Sequence, residues 1–195
     1  ILIFDLPDLL IKSGNSVRVY NNFVMNNNFR NFAPKGNVVA SVPSGTGIMI
    51  LATHNVEIYN NNIYDNKTAN TCIVSYYILD EPINDLEYYP YPSSIHIHNN
   101  IYKRKKMLPS LSFKQPIGFL LAFNYFNDIP DIIFDGIIDE NLLENNDVIN
   151  PLNICIENNG NATFLNLDAS NDFKNMSLDM SQFECSLPHV VHKLY

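Results

Sequence analysis

The sequence lacks the features that mark several common protein classes. It has no run of about 18 or more apolar residues, so no segment is predicted to span a membrane. Positive charge is scarce: the net charge is -8 at pH 7, and the only basic run is 103–106. Because phosphate binding needs a broad positive surface, nucleic acid is not an expected partner. A glycine-rich phosphate loop and a serine-nucleophile elbow are also absent, so no familiar reaction is indicated.

The composition that is present is that of a folded domain. Hydrophobic residues make up 46% of the chain and charged residues 16%, which is typical of a globular protein and not of a disordered one. A length of 195 residues is enough for one domain with a substantial core. Three cysteines do not by themselves fix the redox compartment.

An internal repeat dominates the chain. The stretch Val56–Asn66 has related copies that begin at Val17, Ile95 and Ile154, and the first three copies are equally spaced along the chain. Each copy alternates apolar and polar side chains, the pattern of a strand with one buried face, and each then reaches an Asn-Asn pair typical of a turn. Another apolar strand precedes each copy. The interval from Ile48 to Cys72 matches the length of one coil of a solenoid with three short strands.

The competing interpretation is a meandering β-sandwich. A sandwich needs hairpin turns, and no Asn-Gly or Asp-Gly pair separates two predicted strands. The single Asp-Gly, at 135–136, follows the predicted strand 131–134, which is the last of the strands that open a coil. The sequence therefore predicts an all-β, single-stranded parallel β-helix with about four coils.

The rest of the chain is assigned to insertions and a cap. The coils occupy 1–160, and residues 161–195 form a C-terminal cap of the same domain. Insertions are predicted at five places along the coils: 5–16, 29–45, 76–94, 103–130 and 136–153. Residues 116–123 are expected to form a short helix opened by Pro116, and 139–145 a second one. Because 1–4 already reads as a strand, the chain is expected to be a fragment whose upstream coils and any export signal lie outside it.

The cysteines divide into a candidate pair and a single residue. Cys155 falls on the outward face of its strand and Cys185 lies in the tail, so a disulfide that pins the cap is one interpretation and two unrelated thiols are the other. The disulfide would close a loop of about 30 residues and stabilise the fold by roughly 3 kcal/mol. Cys72 lies in an apolar strand and is expected to be a small core residue.

The stretches 47–51 and 55–66 resemble the right-handed parallel β-helix repeat of pectin-lyase-like proteins. The whole chain further resembles a bacterial envelope family of parallel β-helix repeat-containing proteins. That closer resemblance rests on four segments: 32–37, 73–77, 130–136 and 171–173. It implies an exported protein or lipoprotein that is periplasmic, outer-membrane-attached or extracellular, and a possible dihaem c-type cytochrome partner. It carries over no catalytic residues.

The outward face of the first strands does not meet the needs of a uronate site. It is predicted to present uncharged side chains: Leu2, Phe4, Met49, Leu51, Ile73 and Ser75. An uncharged, largely apolar floor cannot bind a uronate or activate a base, so this face is expected to be covered by loops or by 117–126.

The second-strand face is more polar, and it holds the candidate ligand-contact residues: Tyr20, Glu57, Tyr59, His96 and His98. Since neighbouring parallel strands lie about 4.8 Å apart, His96 is predicted beside Glu57 and His98 beside Tyr59. The alternative is an ordinary solvated strand face. No metal site is predicted, because the two histidines lack a third ligand. The acidic loops 80–87 and 139–140 are candidates for Ca²⁺.

These observations favour an exported, non-catalytic module that binds carbohydrate or a partner protein through its loop walls, where 88–91 is rich in tyrosine. One alternative is a polysaccharide lyase or epimerase whose site lies on the outer strand face or in missing N-terminal coils. Another, from the resemblance alone, is an accessory to an envelope dihaem cytochrome.

Overall fold

The structure is a computed structural model that describes residues 1–143 and 149–191. These residues form mostly β-structure with a single α-helix. The strands, in chain order, are β1 (Leu2–Phe4), β2 (Asn15–Tyr20), β3 (Phe23–Met25), β4 (Thr46–Leu51), β5 (His54–Tyr59), β6 (Asn62–Tyr64), β7 (Ala69–Val74), β8 (Ser93–His98), β9 (Ile101–Lys103), β10 (Ile132–Phe134), β11 (Ile154–Glu157) and β12 (Phe164–Asn166). The helix α1 is Ile117–Tyr125, and short 3₁₀ helices occur at Val38–Ser41, Tyr76–Leu79, Glu140–Leu143, Ala169–Asn171 and Ser181–Phe183.

The strands assemble into three sheets in which every pairing is parallel. The first sheet has the order β1-β4-β7-β10-β12, the second β11-β8-β5-β2 and the third β3-β6-β9. From β1 to β9 the chain visits the first, second and third sheets in rotation, without exception. This topology is consistent with a parallel β-solenoid.

The four repeat copies pair with one another in the second sheet, in the register that their sequences predict. Val17 pairs with Val56, Val56 with Ile95, and Ile95 with Ile154. The apolar residues of this row belong to a core cluster to which all three sheets contribute. The period-two pattern therefore sorts the side chains as expected: the apolar positions build the interior, and the alternate positions form the outer face.

Asparagines make the turns after the second-sheet strands. Asn60 and Asn99 have positive φ values of 54° and 53°, a left-handed conformation that asparagine tolerates better than most residues. The asparagine that follows each of them, Asn61 or Asn100, is buried. The Asn-Asn pair is thus confirmed as the turn signal.

The predicted register between β4 and β7 in the first sheet is wrong by a single position, whereas Leu2 pairs with Met49 as predicted. Cys72 pairs with Met49 and not with Ile48, which pairs with Thr71. A shift by one position moves every side chain to the opposite face. Ile73 consequently packs in the interior cluster, and Ser75 lies buried beyond the end of the strand. Cys72 is buried as expected, but in the outer apolar cluster.

Helix α1 covers the outer face of the first sheet, as the uncharged side chains of that face predict. Leu121 packs in the outer cluster with Leu51 and Val74. Between helix and sheet lies an apolar cavity of about 420 Å³, lined by residues that include Met49 and Leu120. Pro116 immediately precedes the helix, which confirms the prediction for 116–123. The second expected helix, 139–145, is a 3₁₀ helix over Glu140–Leu143; residues 144 and 145 lie outside the described ranges.

The C-terminal segment returns to the sheets before it ends. Strand β12 pairs with β10, so residues 164–166 of the predicted cap extend the first sheet. Phe183 packs against Phe134 and Phe164 and joins the interior cluster. A disulfide joins Cys155 to Cys185, with a Cα–Cα distance of 4.8 Å, as one of the two interpretations of the sequence predicts. The tail is therefore fixed both by core packing and by a covalent bond.

Candidate functional site

The outer face of the second sheet brings the predicted ligand-contact residues together. Glu57 pairs in register with His96, and Tyr59 with His98, which confirms both predicted neighbours. The rings of Tyr20 and Tyr59 are stacked, with centroids 5.1 Å apart, and Tyr59 stacks on His98 at 5.3 Å. The two histidine rings are closer still, at 4.0 Å. The face is therefore a packed column of rings with a carboxylate beside it.

Glu57 is the centre of this face, and its side chain is fully buried. Its Oε1 lies 3.1 Å from His98 Nε2 and also contacts His189 Nδ1, while its Oε2 accepts a hydrogen bond from the Val190 amide at 3.1 Å. Burial alone raises the pKa of the Glu57 carboxyl, but the hydrogen bonds from both histidines and the Val190 amide outweigh that effect and lower the pKa. Glu57 is thus held as a carboxylate.

His189 is the site residue that the sequence does not predict. It reaches Glu57 from the C-terminal tail across 132 positions of sequence. Its side chain is 76% exposed, in contrast to Glu57. No local pattern marks such a contact, because it depends on where the tail crosses the sheet. The nearest signal is indirect: the predicted disulfide places the tail against β11.

A second imidazole–carboxylate pair lies next to the first. His96 Nε2 lies 3.0 Å from Glu157 Oε1, so the hydrogen bonds of this face run diagonally and not along the register pairs. Burial lowers the pKa of His96 despite the neighbouring carboxylate. Hydrogen bonds from Ser186 and then from His96 lower the pKa of Glu157. His96 Nδ1 is buried and has no hydrogen-bond partner within residues 1–143 and 149–191.

Three of these side chains have the donor set of a metal site. One ligand atom each from Glu57, His98 and His189 lies within 4.8 Å of the other two. Two imidazole nitrogens and a carboxylate oxygen are ligands that zinc and other first-row transition metals accept. This set contains His98 but not His96, so it differs from the His96–His98 pair considered at the level of sequence.

A second surface with binding character lies in the insertion between β7 and β8. The tyrosine wall, defined as Tyr77, Tyr89 and Tyr91, has ring centroids 5.5 Å apart for Tyr77 and Tyr91 and 5.3 Å for Tyr89 and Tyr91. Tyr77 is 48% exposed, and the other two are half-buried. Tyr88 is instead buried, and its hydroxyl donates a hydrogen bond to the Asp5 carbonyl, so Tyr88 does not belong to the exposed surface.

Carboxylates of the acidic loops contact other side chains of the protein. Lys12 lies 2.8 Å from Asp85 and 3.2 Å from Glu87. Asp139 accepts a hydrogen bond from the Asn141 side chain at 2.8 Å. These carboxylates are therefore used in contacts within the fold.

No protein-family model, no curated protein and no solved structure matches the chain. Of the helices in the described part of the chain, none is long and apolar enough to cross a bilayer.

Proposed function

We propose that this chain is a right-handed parallel β-helix module that is exported and binds carbohydrate. The fold proposal is supported by the passage of the chain through three parallel sheets and by the resemblance to pectin-lyase-like repeats. Parallel crossover connections are almost always right-handed, because a right-twisted strand packs back onto its sheet only in that sense. The handedness follows from that rule.

The proposed export is supported by the disulfide between Cys155 and Cys185. Disulfides persist in oxidising compartments and are rare in the cytosol, where thiols are kept reduced. Together with the family resemblance, this supports a location in the periplasm, on the outer membrane or outside the cell.

The observation that carries the binding proposal is the tyrosine wall. Tyr77, Tyr89 and Tyr91 hold one another at ring distances of 5.3 and 5.5 Å, so the wall presents aromatic surface that is already ordered before a ligand arrives. Ordered side chains lose little freedom on binding. Tyrosine combines an apolar ring with a polar hydroxyl, which suits it to the apolar and hydroxylated faces of a sugar. Burial and the nearby Asp139 carboxylate raise the pKa of Tyr89 to about 12. The Tyr89 hydroxyl therefore stays protonated and can donate a hydrogen bond.

The test is binding of the full chain to soluble neutral and uronate polysaccharides, measured by affinity electrophoresis and calorimetry. The variants Tyr77→Ala and Tyr91→Ala are expected to weaken binding several-fold each, since an aromatic contact contributes about 0.5–1.5 kcal/mol. Phe123→Ala is the control, because Phe123 is an aromatic residue that is 91% exposed and lies outside the tyrosine wall. Equal losses in Phe123→Ala and Tyr77→Ala, or no binding to any polymer, would contradict the proposal.

A lyase or epimerase is the second candidate, favoured by the pairing of Glu57 with His98 and His189. A carboxylate and an imidazole in contact can act as a base–acid pair beside a uronate. The same polymers are incubated with the full chain, and unsaturated product is followed by its ultraviolet absorption. Product that disappears in Glu57→Gln would establish this candidate in place of the non-catalytic one.

A further inference from the structure

A buried carboxylate and two histidines from distant parts of the chain meet on the outer face of the second sheet. Glu57 lies on β5, His98 on β8 and His189 in the tail. We propose that these three side chains bind one divalent transition-metal ion of the zinc class. This site shares no residue with the tyrosine wall, so it does not depend on carbohydrate binding.

The geometry suits such an ion. His98 Nε2 and His189 Nδ1 both contact the same oxygen, Oε1 of Glu57, the first of them at 3.1 Å. Zinc bonds of about 2.0–2.2 Å to nitrogen and oxygen place tetrahedral ligand atoms roughly 3.3 Å apart. The three ligand atoms already lie within 4.8 Å of one another. The remaining adjustment falls on His189, whose side chain is largely exposed and can rotate.

The charge of Glu57 is a second, independent indication. A fully buried carboxylate is costly unless a positive charge compensates it. Within the ranges 1–143 and 149–191, the basic groups in contact with the Glu57 carboxylate are the imidazoles of His98 and His189, which carry a charge only when protonated, and no lysine or arginine pairs with it. Arg18 is its register neighbour, but the Arg18 guanidinium lies over the Tyr20 ring. A divalent cation among the three side chains supplies the missing positive charge.

Supporting contacts orient the ligands. The Val190 amide donates to Oε2 of Glu57 at 3.1 Å, which leaves Oε1 to face the histidines. Nδ2 of Asn99 lies 2.9 Å from His98 Nδ1 and donates to it. A flip of this amide, which exchanges its nitrogen and oxygen, would let Oδ1 accept a hydrogen bond from Nδ1–H and leave Nε2 unprotonated for the metal, the usual arrangement of a ligating histidine. The His96 ring, 4.0 Å from His98, blocks rotation of that ligand.

The donor set also selects the class of ion. Two imidazoles and one carboxylate suit zinc, iron, cobalt, nickel and copper, whereas Ca²⁺ and Mg²⁺ prefer all-oxygen sites. Because His189 is exposed, the ion has one side open to solvent, where water completes its coordination.

The test uses the full, disulfide-bonded chain after treatment with a chelator. Zn²⁺ is titrated calorimetrically near neutral pH, and Co²⁺ is titrated in parallel by its visible absorption. One ion per chain is expected, with intense Co²⁺ bands of a four-coordinate site. Loss of a supporting contact already costs about 10–100-fold in affinity, so His189→Ala, Glu57→Gln and His98→Asn should each lose more than that. His54→Gln is the matched control, since His54 lies outside the cluster and bonds Ser93.

Three results would overturn the proposal: no stoichiometric binding by the wild type, undiminished binding in His189→Ala, or Ca²⁺ and Mg²⁺ binding as tightly as Zn²⁺. Circular dichroism and urea unfolding report whether each variant is folded. If the variants of buried Glu57 and His98 unfold, His189→Ala decides the question, because its side chain is exposed and its removal leaves the sheet intact.

Discussion

Oδ1 of Asn100 accepts hydrogen bonds from both the backbone amide and the side-chain amide of Asn61, each at 3.0 Å, although the two residues belong to different repeats. Asn22 makes the same pair of bonds to Asn61, and Asn100 makes them to Asn159. The four asparagines form a ladder through the turns of successive repeats. The ladder satisfies backbone and side-chain groups that burial would otherwise leave unpaired.

Replacement of a central member of this ladder is expected to be costly. Asn61→Ala removes the acceptor of Asn22 and the donor to Asn100 and leaves buried polar groups unpaired, each worth about 1–3 kcal/mol. We expect a loss of about 3 kcal/mol in the free energy of unfolding, measured by urea denaturation. Asn22→Ala, at the half-buried end of the ladder, should cost about 1 kcal/mol. Equal losses at the two positions would show that the ladder is not what stabilises the turns.

The disulfide should contribute substantially to stability. It closes a sequence separation of 30 residues, which corresponds to about 3–4 kcal/mol in the chain-entropy account. The double variant Cys155→Ala/Cys185→Ala is therefore expected to unfold at lower urea concentration than the oxidised wild type. A reductant should destabilise the wild type and leave the double variant unchanged. A wild type that is indifferent to the reductant would contradict this prediction.

Stability should fall with rising pH because of Asp135. Its carboxylate accepts bonds from the Ser75 and Ile137 amides, but burial is the larger effect and raises its pKa to about 7. An aspartate of the unfolded chain titrates near pH ~4. Between these two values the folded state keeps a proton that the unfolded state has lost, so the free energy of unfolding decreases from pH ~4 to pH ~7. The neighbouring Cys72 thiol stays neutral there, because burial raises its pKa to about 12.

Urea unfolding at several pH values, compared between the wild type and Asp135→Asn, checks this assignment. Since asparagine does not titrate, the variant should lose this part of the pH dependence while other groups keep theirs. Parallel stability profiles for the two proteins would mean that Asp135 does not titrate in this range.

Docking of α1 should depend on Gly118. A Cβ added at this position would overlap the backbone carbonyl oxygen of Ser110, which cannot move like a side chain. Gly118→Ala is expected to cost about 1–3 kcal/mol despite the better helix propensity of alanine, because it pushes the helix away from the backbone at Ser110. Phe123→Ala, at a side chain that is 91% exposed, should change stability by less than about 0.5 kcal/mol. Hydrogen exchange within 117–125 would locate the change, and a stabilised Gly118→Ala would refute it.

Much of the second sheet was predictable because its signals are local. The alternation at Val56, Glu57 and Ile58 places one set of side chains inside, and Asn60 and Asn61 mark the turn. The constant spacing of the first three copies then aligns them, since identical turns impose identical registers. These local patterns predicted which residues lie beside Glu57 and Tyr59.

The first sheet was less predictable because one of its inward residues is polar. Thr71 is fully buried, and its hydroxyl lies 2.9 Å from that of Tyr102. Hydrophobicity alone therefore predicts that Cys72 pairs with Ile48, whereas the residue that pairs with Ile48 is Thr71. A hydrogen bond supplied by a distant strand made threonine acceptable in the core, and the sequence does not record such a partner.

The sequence by itself determined the parallel strands, their asparagine turns and the residues that line the outer face of the second sheet, because these depend on short-range alternation and on a constant repeat. Only the tertiary structure decided that His189 meets Glu57. That contact joins residues 132 positions apart and depends on how Phe183 and the disulfide direct the tail across the sheet. Contacts of this kind arise from packing of the whole chain, and no local pattern encodes them.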